Sequence, residues 1–223
     1  MFLFSVKKAE NKMKAALYAF ILGTFVTAVK STSECSNQPA DIGFLLDESG
    51  SVGLSNFQKN IDFISNFLGV FDIGDDAIKL SVFAFHTEMG NGFYFKCCNT
   101  IDSIKLGLNS INYNGGGENF EMALGFAKNS MFQSSNGARS FCLKILIFFT
   151  DGQSPVQDGG KMLHQLGVIV YAVGVGSDVD INQLKQIATN ASYVFMVDSY
   201  SSLVGQISQD IKSKTCSVMY KVV

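Results

Sequence analysis

The chain has 223 residues, 47% hydrophobic and only 16% charged, a balance that excludes a disordered, charge-rich protein. Two prolines, no low-complexity tract and no repeat at solenoid periods exclude a Pro-rich linker protein and a solenoid. The net charge of −2 leaves no basic footprint for nucleic acid, and 20 Phe with no Trp predict a Phe-rich core.

Residues 1–33 read as a secretory signal peptide. Lys7, Lys8, Lys12 and Lys14 form a basic region, and residues 15–29 (AALYAFILGTFVTAV) form an apolar run closed by Lys30. That run is short for a membrane span, which needs about 20 residues. Met13 offers a second start, and small residues allow cleavage after Ala28 or within Ser31–Ser33. An uncleaved signal anchor is the alternative. No second apolar span and no lipid-anchor tail follow, so a secreted, extracellular protein without a membrane span is expected. Loss of residues 1–33 leaves 12 Lys+Arg against 18 Asp+Glu, a net charge of −6. Cations then suit the chain better than anionic partners.

Residues 36–216 read as a single domain, with 217–223 as a short tail. Five β-branched and aromatic runs predict buried strands: Ile42–Leu46, Leu80–Phe85, Leu143–Phe149, Val168–Val175 and Tyr193–Val197. Phe93–Phe95 adds a short edge strand. Phe57, Ile61, Ile64 and Leu68 recur at helical spacing, as do Ile181, Leu184, Ile187 and Ala188, and then Leu203, Val204, Ile207 and Ile211. Phe120, Leu124 and Ala127 suggest another helix, and Asp180 with Gln183 resembles a capping box. Alternating strands and helices with buried strands predict a doubly wound α/β fold, a mostly parallel sheet with helices on both faces.

The mature chain has five cysteines, and export makes disulfides expected. Cys35 and Cys216 flank the domain and are expected to pair. Cys142 is expected to take Cys97 or Cys98, and the cysteine left over suits a disulfide-linked dimer. Asn190-Ala191-Ser192 is an N-glycosylation sequon, placed before the last strand and away from the loops described next.

In such sheets ligands bind beyond the carboxyl ends of the strands. Asp47-Glu48-Ser49-Gly50-Ser51 follows the first strand, and Thr150-Asp151-Gly152 follows the third long one. Between them lies Tyr113-Asn114-Gly115-Gly116-Gly117-Glu118-Asn119. Alternate spacing lets Asp47, Ser49 and Ser51 turn to one point in a tight loop. Carboxylates with hydroxyls make a hard oxygen site for Mg²⁺, Mn²⁺ or Ca²⁺. Neutral serine ligands leave the metal positive enough to accept a partner's carboxylate. The alternative is a loop in which Asp47 and the serines only cap the next helix. His86 and His164 lack zinc-type spacing and read as structural. No nucleophile elbow supports a Ser/His/Asp triad, so no catalytic residue is assigned and a non-enzymatic protein is expected.

The segments FLLDESGSVG, YNGGGENFEMAL, KILIFFTDGQSP and VIVYAVGVG, in this order, resemble the von Willebrand factor type A domain over about residues 40–212. The resemblance implies a Rossmann-like fold and a metal-ion-dependent adhesion site. It makes Asp47, Ser49 and Ser51 first-loop ligands, and Asp151 a third-loop carboxylate that often acts through water. The second loop departs from the family's usual threonine: aligning Ala123-Leu124 with the family's Ala-Leu puts Glu118 at that position. Either Glu118 ligates the metal, or it faces solvent and a water takes its place. With Glu118 the site carries three negative charges, and Ca²⁺ or Mn²⁺ becomes as suitable as Mg²⁺. Glu121 reads as a first-turn residue of the following helix.

The resemblance implies binding to an extracellular protein that supplies an acidic residue: a collagen-like chain, a glycoprotein or another such domain. The alternative is a structural matrix component, self-associating or crosslinked, whose metal only supports the fold.

Overall fold

The computed structural model describes residues 39–197 and 199–219, the side chains of 216–219 excepted. The signal segment 1–33, Cys35, the Cys216 side chain and residues 220–223 of the expected tail lie outside the described residues. The described residues form a six-stranded sheet of β1 (Ala40–Asp47), β2 (Ile78–Phe85), β3 (Met89–Phe93), β4 (Leu143–Thr150), β5 (Val168–Gly174) and β6 (Val194–Met196). The order is β3-β2-β1-β4-β5-β6, parallel throughout except for the β2–β3 pair.

Alternation along the strands sends side chains into two cores. Ile42, Phe44 and Leu46 face one layer with Ile145, Ile147 and Phe149. Helices α1 (Gly53–Phe67), α2 (Ile101–Asn109) and α6 (Tyr200–Met219) cover that layer. Leu45, Leu146 and Phe148 face the other layer, under α3 (Phe120–Phe126), α4 (Gly159–Gln165) and α5 (Ile181–Ile187). Because both faces are covered, the central strands read as continuous apolar runs.

Several phenylalanine pairs pack edge to face, as ring quadrupoles prefer. Phe63 meets Phe149 at 5.1 Å between ring centroids, and Phe120 meets Phe148 at 5.5 Å. The second contact fixes the first residue of α3 in the core, directly after the glycine-rich loop.

The edge strand lies at Met89–Phe93, earlier than the expected Phe93–Phe95. Its Gly90-Asn91-Gly92 has no apolar pattern to read, and backbone pairing with β2 alone makes it a strand. Gly92 is required there, because a Cβ would overlap the Val82 carbonyl oxygen. Helices α2 and α4 were not among the expected elements, although Ile104 and Leu108 form a short buried stripe on α2. α2 is set by a reciprocal cap, in which the Ser103 N–H donates to Thr100 Oγ1 and the Thr100 N–H to Ser103 Oγ. At α5, Asp180 accepts from the Asn182 and Gln183 amides, but the Gln183 side chain accepts from Val156 N–H and closes no box.

The cysteines differ from expectation. Cys97 is bonded to its neighbour Cys98. Each sulfur forms one disulfide, so this bond removes both partners expected for Cys142. Cys142 remains a buried thiol just before β4. Asn190 is exposed at the entry to β6, and its Oδ1 accepts from the Ser192 N–H.

Candidate metal centre

The sheet order brings together loops that are distant in sequence. β1 lies between β2 and β4, and the chain direction along the sheet reverses there. Leu46 is opposite Phe149, so Asp47 and Thr150 end adjacent strands side by side. This is the switch point at which open α/β sheets bind ligands.

Asp47 leaves β1 fully buried. Its Oδ1 accepts from the Ser49 N–H at 2.8 Å, which bends the chain into the first loop. Its Oδ2 accepts from Thr150 Oγ1 at 2.7 Å. Ser49 Oγ and Ser51 Oγ face each other at 3.1 Å, and α1 begins two residues later.

In the third loop the Gly152 N–H donates to Thr150 Oγ1 at 3.0 Å. Gly152 has φ +78°, and a Cβ there would come within 2.9 Å of the Asp180 carbonyl oxygen. Glycine therefore suits both the turn and the close approach.

The second loop arches over the first. Gly50 N–H donates to the Gly116 carbonyl at 2.9 Å, and Tyr113 Oη to the Ser49 carbonyl at 3.1 Å. Asn114 N–H donates to Glu48 Oε2 at 2.8 Å. The arch ends at Asn119, whose Oδ1 caps α3 through the Met122 N–H.

These loops bring carboxylate oxygens of Asp47, Glu118 and Asp151 within 4.8 Å of one another. Glu118 Oε2 is buried with no hydrogen-bond partner. No lysine or arginine among the described residues forms an ion pair with any of the three. Burial pushes the Asp47 carboxyl up to about 6, although bonds from Thr150 and Ser49 hold it down, and the Asp151 charge adds to the rise. Burial, then repulsion from Asp151 and Asp47, pushes Glu118 up to about 8.

A cluster of this kind lacks positive charge. Three carboxyl groups, one with an orphaned Oε2, and two facing hydroxyls fit a hard divalent cation. Such an ion would bring compensating charge and, at an open position, Lewis acidity toward a partner's oxygen.

Glu121 is elsewhere: its Oε2 accepts from the Gln157 and Gly159 amides at the start of α4. His164 Nε2 meets the Ile187 carbonyl oxygen. His86 Nε2 lies 4.0 Å from Glu48 Oε1, beside the second loop. Sequence reasoning gave Glu48, Asn114 and Thr150 no role, since nothing in their spacing shows that they meet.

The von Willebrand factor type A domain family matches residues 41–210. Mouse (Mus musculus) matrilin-2 is 28% identical over 193 residues, covering 83% of this chain and 20% of matrilin-2. The collagen alpha-1(XII) chain of Notophthalmus viridescens is 32% identical over 181 residues, covering 80% of this chain and 19% of the collagen. The chain thus spans about a fifth of the length of these two relatives. Among solved structures, proximal thread matrix protein 1 of the mussel byssus superposes with TM-score 0.70 at 27% identity, over 78% of this chain and 47% of that one. Another structure of that mussel protein has a zinc-occupied MIDAS motif, with TM-score 0.68 at 27% identity over 76% and 46% of the two chains. The matrilin and collagen relatives are secreted extracellular-matrix proteins, in accord with the extracellular location expected for this chain. With most of its length matched and its three loops in the family's order, the chain belongs to the von Willebrand factor type A domain family.

Proposed function

We propose that this chain is a secreted, non-enzymatic adhesion module of the extracellular matrix. It binds a protein partner through a divalent cation held by Asp47, Ser49, Ser51, Glu118 and Asp151. The observation that carries this reading is the convergence of three carboxylates, one with an orphaned oxygen, at the ends of β1 and β4. The partner supplies an acidic residue, from a collagen-like chain, a glycoprotein or another domain of this family. Mg²⁺ is the first candidate, with Ca²⁺ or Mn²⁺ suited by the third carboxylate. The folded module runs from residue 36 to the end of α6 at Met219, three residues past the expected boundary at 216, with residues 1–33 as its leader. A Cys35–Cys216 bond closes the module, and Asn190 carries a glycan at the end of the sheet opposite the loops.

The test follows unfolding of the secreted chain after chelation, with Mg²⁺, Ca²⁺ and Mn²⁺ titrated separately. A saturable rise in Tm that is absent in Asp47→Ala supports the site through linkage. No rise with any of the three ions overturns it. The second reading, a structural matrix component, draws on the mussel neighbour, a thread matrix protein with an occupied motif. On that reading Asp47→Ala lowers stability and leaves assembly intact, whereas on the first it abolishes cation-dependent partner binding.

A further inference from the structure

We infer that Glu48 is a positioning residue, which holds the second loop over the first and so places Glu118 at the metal centre. The inference rests on the proposal that these loops hold a cation. Glu48 lies between two of the proposed ligands and is fully buried, yet it is not part of the carboxylate cluster.

A buried carboxylate is costly unless it is hydrogen-bonded. Glu48 meets that demand on the second loop. Oε2 accepts from the Asn114 N–H at 2.8 Å and from Asn114 Nδ2 at 3.1 Å, and Oε1 lies 3.3 Å from the same Nδ2. His86 Nε2 stands 4.0 Å from Oε1. On β3, Gly90 leaves the space in which Oε1 sits, since a Cβ there would overlap it. Three elements are therefore shaped around one acid that makes no contact with the cluster's own oxygens.

The second loop needs such an anchor. Gly115 and Gly116 have φ +72° and +109°, and Gly117 follows them. Glycine backbone is the least restrained of any residue. Downstream, the arch is fixed by Phe120 in the core. Upstream, it is fixed at Tyr113, Asn114 and Gly116, through Ser49, Glu48 and Gly50. Glu118 is carried between these two supports. Removing the side-chain half of the Glu48–Asn114 contact loosens the upstream support and lets Glu118 withdraw.

Glu48 also adds negative charge near the cation, so the test separates geometry from charge. Asn114→Ala removes the two Nδ2 contacts at an exposed residue, leaves the backbone N–H bond to Oε2 in place and changes no charge. Asn114→Ala, Glu118→Gln and the double variant are made in the secreted chain. Mn²⁺ affinity is measured for each, and luminescence lifetimes of bound Tb³⁺ in H₂O and D₂O count the waters on the ion.

Asn114→Ala is expected to weaken Mn²⁺ about tenfold or more, as loss of outer-shell partners does. It is also expected to raise the water count on Tb³⁺ by about one, because water replaces a withdrawn carboxylate. In the Glu118→Gln background Asn114→Ala is expected to add little, since the two act as one unit. Unchanged affinity in Asn114→Ala, or a fully additive double variant, overturns the inference and leaves the metal reading standing. A wild-type chain that binds no Mn²⁺ overturns the metal reading, and this inference with it.

Discussion

Thr150, the last residue of β4, donates its hydroxyl to Asp47, the last residue of β1, at 2.7 Å. This bond ties the third loop to the first across 103 residues of sequence, inside the core. Thr150→Val keeps the shape and removes the donor, so the buried Asp47 carboxylate loses a partner. A loss of about 1–3 kcal/mol is expected in metal-free denaturant unfolding. Thr150→Ser, which keeps the hydroxyl, should recover most of it.

The metal-free fold should lose stability as pH rises. Asp47 and Glu118 titrate at about 6 and about 8 in the fold, above ordinary carboxyl values, because burial favours their neutral forms. Between about pH 4 and pH 8 the folded chain therefore holds protons that the unfolded chain has released. Their contribution is present in full below about pH 4 and disappears as pH climbs through these two values. In chelator, Tm should fall from pH 5 to pH 8.5. A saturating divalent cation should reverse that slope, because metal binding needs the ionised carboxylates. Scanning calorimetry in both conditions checks this, and a metal-free Tm that rises over the interval contradicts it.

Arg139 supports the opposite end of the sheet. Its Nη2 lies 2.7 Å from Oδ1 of the fully buried Asp41 and also donates to the Ala40 and Ala77 carbonyls. Arg139→Ala strands the Asp41 charge, and breaking a buried pair in this way costs about 3–5 kcal/mol. Cation affinity should stay as it was, since the pair lies at the start of β1 and the metal loops at its end. Denaturant unfolding and a Mn²⁺ titration of the same variant give both readings.

The Cys97–Cys98 bond leaves Cys142 as the thiol among the described cysteines. Burial pushes that thiol's pKa up, which keeps it protonated and unreactive. Alkylation of the folded, unreduced chain should leave Cys142 unlabelled, and unfolding without reductant should expose it to labelling. Peptide mapping that finds Cys142 joined to Cys97 or Cys98 would falsify this pattern.

The alternating apolar runs were legible because burial on both faces leaves a local trace in the residues themselves. The Leu203, Val204, Ile207 and Ile211 stripe was legible because α6 buries one face, and these four residues lie on it. β3 was misplaced because an edge strand buries little and its pairing with β2 leaves no apolar record. The helix signalled by Asp180 was found, but the contact from Gln183 to Val156 depends on a neighbouring loop and left no mark.

The sequence by itself determined the α/β alternation and the three loops, because strand burial and turn chemistry are written within short windows. Only the tertiary structure decided which oxygens meet. β1 pairs with β4 because both are apolar on two faces and are buried together at the centre of the sheet. That non-local pairing sets Asp47 beside Thr150, brings Glu118 to both aspartates and closes Asn114 onto Glu48. Convergence of this kind follows from the order of strands in the sheet, which no local spacing encodes.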